Sequence, residues 1–167
     1  MAANNIKGFF LIFATLVISI PLLSCSEKMQ AARLSPTVAS SRLKMDAAIL
    51  DYVNQYRQSK GLPPLQLNEV ISAAAEKHSS DMAFKKTPFG HNGFEERIRT
   101  ISQKLGSLKK SAENVAYGNI NAQQVVDIWV KSPGHRRNIE GKYSITGIGI
   151  ARAGDGTIFF TQIFAVK

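Results

Sequence analysis

The chain is poor in the side chains that most often build disulfide frameworks and metal sites. Its 167 residues include one cysteine and three histidines. A lone thiol excludes an internal disulfide, so a folded domain must be held together by its core alone. Because histidine is scarce, each copy is informative, and His78, His91 and His135 all lie in polar, non-repetitive motifs. These motifs predict a common site without indicating its reaction.

Long apolar runs are also missing, apart from one near the N-terminus. Residues 8–23 are apolar and follow a single charge, Lys7, but this run is shorter than the ~20 residues of a membrane-spanning helix. We interpret residues 1–24 as a secretory signal peptide. The Leu-Leu-Ser-Cys sequence that ends at Cys25 resembles a bacterial lipobox. It implies cleavage before Cys25 and lipidation of its thiol; an ordinary cleaved signal or an uncleaved anchor is the alternative.

Acidic residues are outnumbered: 12 Asp and Glu oppose 21 Lys and Arg, giving a net charge of +9. Such a balance suggests nucleic acid as a partner, but the basic residues in the middle of the chain are not interleaved with aromatic side chains that could stack on bases. We therefore expect no nucleic-acid binding. These residues are interpreted as a solvated face or a patch for an anionic surface, and they are Arg97, Arg99, Lys104, Lys109 and Lys110.

Three regions are predicted along the chain. After the signal peptide, residues 25–44 are basic and have no sustained apolar period, which indicates a flexible tether beside a membrane or a solvated spacer. Residues 45–167 are long enough for one domain, which we expect to be monomeric. The expected location is outside the cytoplasm, with the lipid on Cys25 in a membrane. Because Ser26 rather than an aspartate follows Cys25, we expect that membrane to be the outer membrane if the cell has one. Secretion is the alternative.

Helical patterns dominate the first part of the predicted domain. Apolar residues from Met45 to Tyr56 recur at helical spacing, and the pattern stops at Gly61. Asn68 is predicted to cap a second helix that runs to about Lys86 and carries His78 near its apolar side. A weaker helix follows Gly93, and a basic loop then leads to Glu113 and Asn114.

The next helical segment has a stronger apolar side. Asn121 is predicted to cap it, and its buried side would carry Val125, Val126, Ile128 and Trp129. Ser132 then precedes Pro133, which suits the N-cap of a short helix. The alternative for Ser132 is a nucleophile three residues before His135.

The last part of the chain is typical of a hairpin. Residues 143–151 and 157–166 are rich in Ile, Phe and Thr, and they flank a Gly-Asp-Gly turn at 154–156. In the first strand Gly147 and Gly149 alternate with larger residues, so helices can pack closely on at least one face of the sheet. Helices followed by paired strands predict an α+β domain.

Seven sequence blocks, in this order, resemble the bacterial branch of the CAP superfamily. That superfamily includes cysteine-rich secretory proteins, antigen 5 proteins and pathogenesis-related plant proteins, and its domain is also called SCP. The resemblance covers residues 46–166 and implies a three-layer α-β-α sandwich with a central antiparallel sheet and a cleft lined by histidine and glutamate. The blocks are 74–83, 89–91, 113–116, 126–129, 132–139, 147–149 and 160–164.

The resemblance places His91, Glu113 and His135 in that cleft, with His78 close by. Two imidazoles and a carboxylate are suitable ligands for a divalent metal, zinc being favoured. The alternative is a hydrogen-bonded polar cluster in which Glu113 orients one imidazole and Asn114 or Ser132 fixes a loop.

Two functions follow from this cleft. The first is a binding module of the cell envelope, whose partner would be a lipid, a cell-wall polymer or an envelope protein. The second is a metal-assisted hydrolase in which Glu113 activates a water molecule. We expect binding rather than turnover and assign no catalytic residue, because a fold does not determine a function.

Overall fold

The computed structural model describes residues 36–167, with side chains from Lys44 onward. The predicted signal peptide, Cys25 and the first part of the tether lie outside the described residues. The rest belongs to one compact unit, Ser35–Lys167. Within the described part, no helix has the length and apolar character needed to cross a membrane.

Five helices and four strands form this unit. The helices are α1 (Pro36–Ser59), α2 (Glu69–Ala83), α3 (Phe94–Leu105), α4 (Ala122–Lys131) and α5 (Pro133–Ile139). The strands are β1 (Gln66–Leu67), β2 (Lys110–Gly118), β3 (Ile145–Arg152) and β4 (Ile158–Val166).

The first helix is longer than its apolar pattern predicts. It begins at Pro36 rather than at Met45, so residues 36–44, predicted to lack regular structure, are helical. Proline suits this start because its fixed φ matches the first helical turn and its missing N–H is not needed there. The helix ends at Ser59, near the predicted stop at Gly61, whose φ is +69°.

The predicted caps of α2 and α4 are confirmed. The Asn68 side chain accepts hydrogen bonds from two amides of the first turn of α2, and Asn121 and Gln124 form a capping box on α4. The second helix ends at Ala83 rather than Lys86, because Lys85 takes a left-handed conformation with φ 57°.

The sheet has the strand order β1-β3-β4-β2. The predicted β3–β4 hairpin is confirmed, and β2 pairs with β4 in the antiparallel sense. The short edge strand β1 pairs in parallel with β3, so the sheet is mixed rather than wholly antiparallel. Residues 110–118, interpreted as a loop or left unassigned, form β2; their polar residues conceal the alternation that identifies a strand.

Helices cover both faces of the sheet, as the sandwich prediction requires. Helix α2 packs so closely on β3 that a Cβ at Gly149 would lie 2.0 Å from the amide nitrogen of Glu76. On this side Ile71 and Ala75 of α2 and Ile101 of α3 pack against Ile163 of β4.

The opposite face supports α1, α4 and α5. Trp129 is fully buried there and donates from its indole N–H to the Val115 carbonyl at 3.3 Å. Ile128, predicted to be buried with it, is 46% exposed, because the packed side of α4 is narrower than its apolar sequence suggests. Arg57 of α1 is also fully buried, and its guanidinium donates to the carbonyls of Ile139 and Gly141. Arg57 therefore fixes the C-terminal end of α5, the helix that carries His135.

Candidate functional site

The candidate site lies along β2, the edge strand opposite β1. Successive residues of a strand point to opposite faces, so Glu113 and Asn114 face different helical layers. Glu113 contacts Arg97 of α3, and the Asn114 amide donates to the His135 carbonyl of α5 at 3.1 Å. Because β2 is an edge strand, groups from both layers meet beside it.

Arg97 binds the Glu113 carboxylate through both of its oxygens. Its Nε lies 3.0 Å from Oε2, and its Nη2 lies 2.8 Å from both Oε1 and Oε2. The Glu113 side chain is 2% exposed and that of Arg97 is 14% exposed. A guanidinium in this two-point geometry gives a strong charge-assisted contact. The buried carboxylate is therefore neutralised within the protein.

This contact corrects the interpretation of Arg97 as part of a solvated basic face. A usable signal was present in the sequence, since Arg97 precedes the buried Ile101 by one helical turn and the two share a side of α3. Neighbouring Arg99 does belong to the solvated face, where it pairs with Glu96, and both side chains are 66% exposed.

His91 is the exposed member of the cluster. Its Nδ1 lies 2.9 Å from Glu113 Oε1, and its side chain is 51% exposed. Since an ionised carboxylate can only accept, Nδ1–H donates this bond. Nε2, the other polar atom of the ring, is then available to a ligand as an acceptor in the neutral form.

His78 lies beneath the loop that carries His91. Its Nε2 donates to the Gly90 carbonyl at 2.8 Å and lies 3.9 Å from Glu113 Oε1. Burial lowers the pKa of His78 below its ordinary value of 6.5, and the charge of Arg97 acts in the same direction. A neutral His78 that holds the Gly90 carbonyl positions the neighbouring His91.

His135 approaches the cluster from α5. Burial lowers its pKa below 6.5, and the charge of His91 contributes to the same shift. Its Nδ1 is buried without a hydrogen-bond partner among the described residues. Ser132 occupies the predicted N-cap position of α5 but makes no side-chain capping bond. His135 thus has an unused polar atom, and no contact identifies Ser132 as a nucleophile.

Asn138 of α5 connects Glu113 and Asn114 to the helix that carries His135. Its amide donates to the Glu113 carbonyl at 3.1 Å and to Asn114 Oδ1 at 2.9 Å. With the bond from Asn114 to the His135 carbonyl, it ties α5 to β2. Asn138 was not predicted to belong to the site, although it lies one turn beyond His135 on the same helix.

The arrangement corresponds to a hydrogen-bonded polar cluster with Glu113 orienting His91. Among the described residues, no group of three His, Cys, Asp or Glu side chains is placed to hold a metal ion. Arg97 already occupies both oxygens of Glu113, so a zinc ion on His91, His135 and Glu113 would have to displace a guanidinium of like charge. The residues as arranged do not fit that ion.

A pocket of about 470 Å³ lies between α2 and α3 and shares His78 and Arg97 with the cluster. Its volume is in the range of small-molecule sites. The other lining residues are Ala74, Lys77, Asp81, Thr87, Asn92, Gly93, Glu96 and Thr100. A ligand-sized space therefore adjoins His78 and Arg97.

The sequence matches a family model described as "CAP: Cysteine-rich secretory protein family" over residues 50–164. It is 32% identical over 149 residues to the uncharacterized protein YkwD of Bacillus subtilis, covering 85% of this chain and 54% of that protein. It is 30% identical over 128 residues to the uncharacterized membrane protein YlbC of the same organism, covering 70% and 33%. The chain thus spans about half of one relative and a third of the other.

Solved structures share the fold. An outer surface protein from Borrelia burgdorferi superposes with a TM-score of 0.60 at 18% identity, covering 71% of this chain and 90% of that one. An extracellular SCP-domain protein from Bacillus anthracis gives 0.66 at 24% identity, covering 81% and 45%. A cysteine-rich secretory protein from Staphylococcus aureus gives 0.63 at 22% identity, covering 74% and 38%.

Proposed function

This chain belongs to the cysteine-rich secretory protein (CAP) family, and from that membership we propose that it is an exported protein whose cleft beside β2 binds a polar component of the bacterial cell envelope. The names of similar proteins support the location, since one is an outer surface protein and another is extracellular. The buried core and the helix caps stabilise the fold. The residues of the cleft are therefore the ones proposed to bind the ligand.

The observation that carries the proposal is a neutralised carboxylate beside a half-exposed histidine, together with a second histidine whose buried Nδ1 lacks a partner. Arg97 cancels the charge of Glu113, His91 is half exposed, and Nδ1 of His135 has no partner among the described groups. Such a cluster offers hydrogen bonds without a net charge. It favours a ligand with hydroxyl and amide groups, such as a cell-wall polymer, over a bare acyl chain or a metal ion.

Soluble fragments of cell-wall glycan with their peptide stems test this function. We expect saturable binding by calorimetry, and at least tenfold weaker binding for His91→Ala and for His135→Ala. Lys131→Ala, an exposed change on α4, is the matched control and should bind as the unmodified protein does. Equal affinity in all four proteins would contradict a role for the histidines.

A lipid on Cys25 would hold this domain at a membrane, at the outer one where the cell has it. The support is the Leu-Leu-Ser-Cys sequence. Cells given a labelled fatty acid should incorporate it into the unmodified chain and not into Cys25→Ala. Equal labelling of the two proteins would remove the anchor from the proposal.

Hydrolysis is the weaker candidate for the same cleft. It needs Glu113 as a free base or as a metal ligand, and the bound guanidinium opposes both roles. We therefore derive no catalytic step. Turnover of envelope substrates that disappears in Glu113→Gln would overturn the preference for binding over hydrolysis.

A further inference from the structure

Large apolar side chains are exposed at the end of the molecule where β2 and β3 finish. Phe84 is 60% exposed, Phe89 is 47% exposed and Tyr117 is 58% exposed. Phe159 lies half-buried beside the last two. We call these four residues the aromatic end. Large apolar side chains exposed together at one end of a domain suggest an interaction site.

The rings of Phe89, Tyr117 and Phe159 hold one another in place without being covered by the rest of the fold. Tyr117 and Phe159 are cross-strand neighbours that stack at 5.7 Å, and Phe89 meets Tyr117 edge-on at 4.7 Å. The segment that carries Phe84 and Phe89 is anchored by two amides, of Lys86 and Thr87, that donate to the Asp81 carbonyl. The aromatic end is thus a prepared surface rather than a loose loop.

Positive charge surrounds these rings. Lys85 and Lys86 are exposed between Phe84 and Phe89, and Arg152 is exposed at the end of β3. The carboxylate of Asp155, in the β3–β4 turn, opposes them. The Thr157 amide chiefly lowers the pKa of Asp155, and nearby Lys85 adds to this.

Aromatic rings beside lysines match the interfacial region of a bilayer. There the rings lie at headgroup level, and each lysine gains about 1 kcal/mol from anionic lipid. The net charge of +9 acts in the same direction. These observations favour a lipid surface over a second protein, for which the lysines would carry an unpaired desolvation cost.

We propose that the aromatic end docks the domain onto an anionic lipid bilayer, with Phe84 and Phe89 entering the headgroup region and Lys85 and Lys86 contacting lipid phosphates. Docking is independent of ligand binding in the cleft. It would also set the orientation of the cleft, since His91 follows Phe89 by two residues and would lie close to the membrane.

Tryptophan reporters in the full chain test the docking surface. The natural Trp129 is fully buried and gives a constant background. The probes are Phe84→Trp and, as a matched control, Ile128→Trp, a 46% exposed apolar position on α4. Each protein is mixed with phosphatidylglycerol-phosphatidylcholine vesicles whose acyl chains are brominated near the headgroup. Any anchoring by the N-terminal segment is the same in both.

We expect the added fluorescence of Phe84→Trp to fall at least twofold and that of Ile128→Trp to stay unchanged. Without a tryptophan probe, the double variant Lys85→Gln/Lys86→Gln should bind vesicles at least tenfold more weakly, because two lysine contacts are lost. Lys104→Gln/Lys131→Gln, with the same charge change elsewhere, should weaken it less than threefold.

Three results would overturn the proposal. Equal quenching at both positions would mean adsorption without a preferred face. Salt-sensitive binding without quenching at position 84 would indicate that the domain is attracted to the charged surface without inserting its rings. A charged polymer would attract it in the same way. Equal losses in the two double-lysine variants would mean that only net charge matters.

Discussion

At the scale of single residues, the Arg97 guanidinium decides what the cleft can bind. It holds a carboxylate that is 2% exposed, and a buried charge that loses its partner is strongly destabilising. We therefore expect Arg97→Gln to lower the free energy of unfolding by roughly 3 kcal/mol in urea titrations. Arg99→Gln breaks an exposed pair on the same helix and should cost about 0.5 kcal/mol or less.

A double-mutant cycle separates the lost ion pair from lost packing. Arg97→Gln/Glu113→Gln removes both charges and should recover most of the stability lost in Arg97→Gln alone. If the double variant is as unstable as the single one, the guanidinium acts by filling space and the neutralised carboxylate is not its main role.

The same contact predicts weak zinc binding. Because the guanidinium occupies both oxygens of Glu113, calorimetry with zinc should give the same small heats for the unmodified protein and for His91→Ala/His135→Ala. A stoichiometric heat that disappears in the double variant would contradict this and restore the metal site.

The lowered pKa of His78 predicts acid sensitivity. Its folded pKa lies below 6.5, its ordinary value, so between the two values the unfolded chain binds more protons. Stability should therefore fall as the pH drops below about 6.5. His135 shifts in the same direction.

Urea midpoints at pH 7 and pH 5 measure this effect. His78→Asn removes the titrating group, so its midpoint should change less over this range than that of the unmodified protein. Parallel changes in the two proteins would assign the acid sensitivity to other groups.

Several residues of the cleft could be predicted from the sequence. The family resemblance made this possible, whereas the spacing of the residues along the chain did not. His91 and Glu113 do meet, although they are 22 positions apart. The role of Arg97 was not predicted, because a sequence records a charge without recording which carboxylate it meets. Asn138 was missed because its partners, the Glu113 carbonyl and Asn114 Oδ1, lie far from it in the sequence.

At the scale of elements, the fit of α2 on β3 depends on two glycines. A Cβ at Gly149 would lie 2.0 Å from the Glu76 nitrogen and one at Gly147 would lie 2.2 Å from the Ser72 nitrogen. Both obstacles are helix backbone, so the helix must move away from the sheet. Gly149→Ala should lower the free energy of unfolding by about 3 kcal/mol or more in urea titrations, beyond ordinary overpacking.

Gly154→Ala is the control for this change. A Cβ there meets nothing within 4 Å, and an unconstrained surface change is expected to stay within about 0.5 kcal/mol. If both alanine variants unfold at the same urea concentration, close helix-sheet contact is not what requires glycine at position 149.

Local chemistry explains which elements were predicted correctly. Caps at Asn68 and Asn121 and the turn at residues 154–156 act over a few residues, so the sequence shows them directly. Strand β2 was missed because Glu113 and Asn114 are buried polar residues, stabilised by Arg97, Asn138 and α5 rather than by apolar neighbours. The early start of α1 was missed because its first turns lack an apolar period.

At the scale of the whole molecule, the sandwich places the cleft and the aromatic end along the same edge strand. Glu113 lies in the middle of β2 and Tyr117 near its end, so their side chains share a face. A domain built this way would present its histidines beside the surface on which it docks. The order of the strands, which brings β2 to the edge, follows from long-range pairing and was not predicted.

The most direct test of the proposed binding cleft is the imidazole spectrum of the three histidines during titration with soluble cell-wall fragments. All three rings belong to the region around the cleft, so nitrogen-proton correlations of histidine report on it almost without background. We predict saturable shifts at His91 and His135, with a smaller shift at the buried His78. Resonances that stay in place at every fragment concentration would contradict the claim that this cleft binds an envelope component.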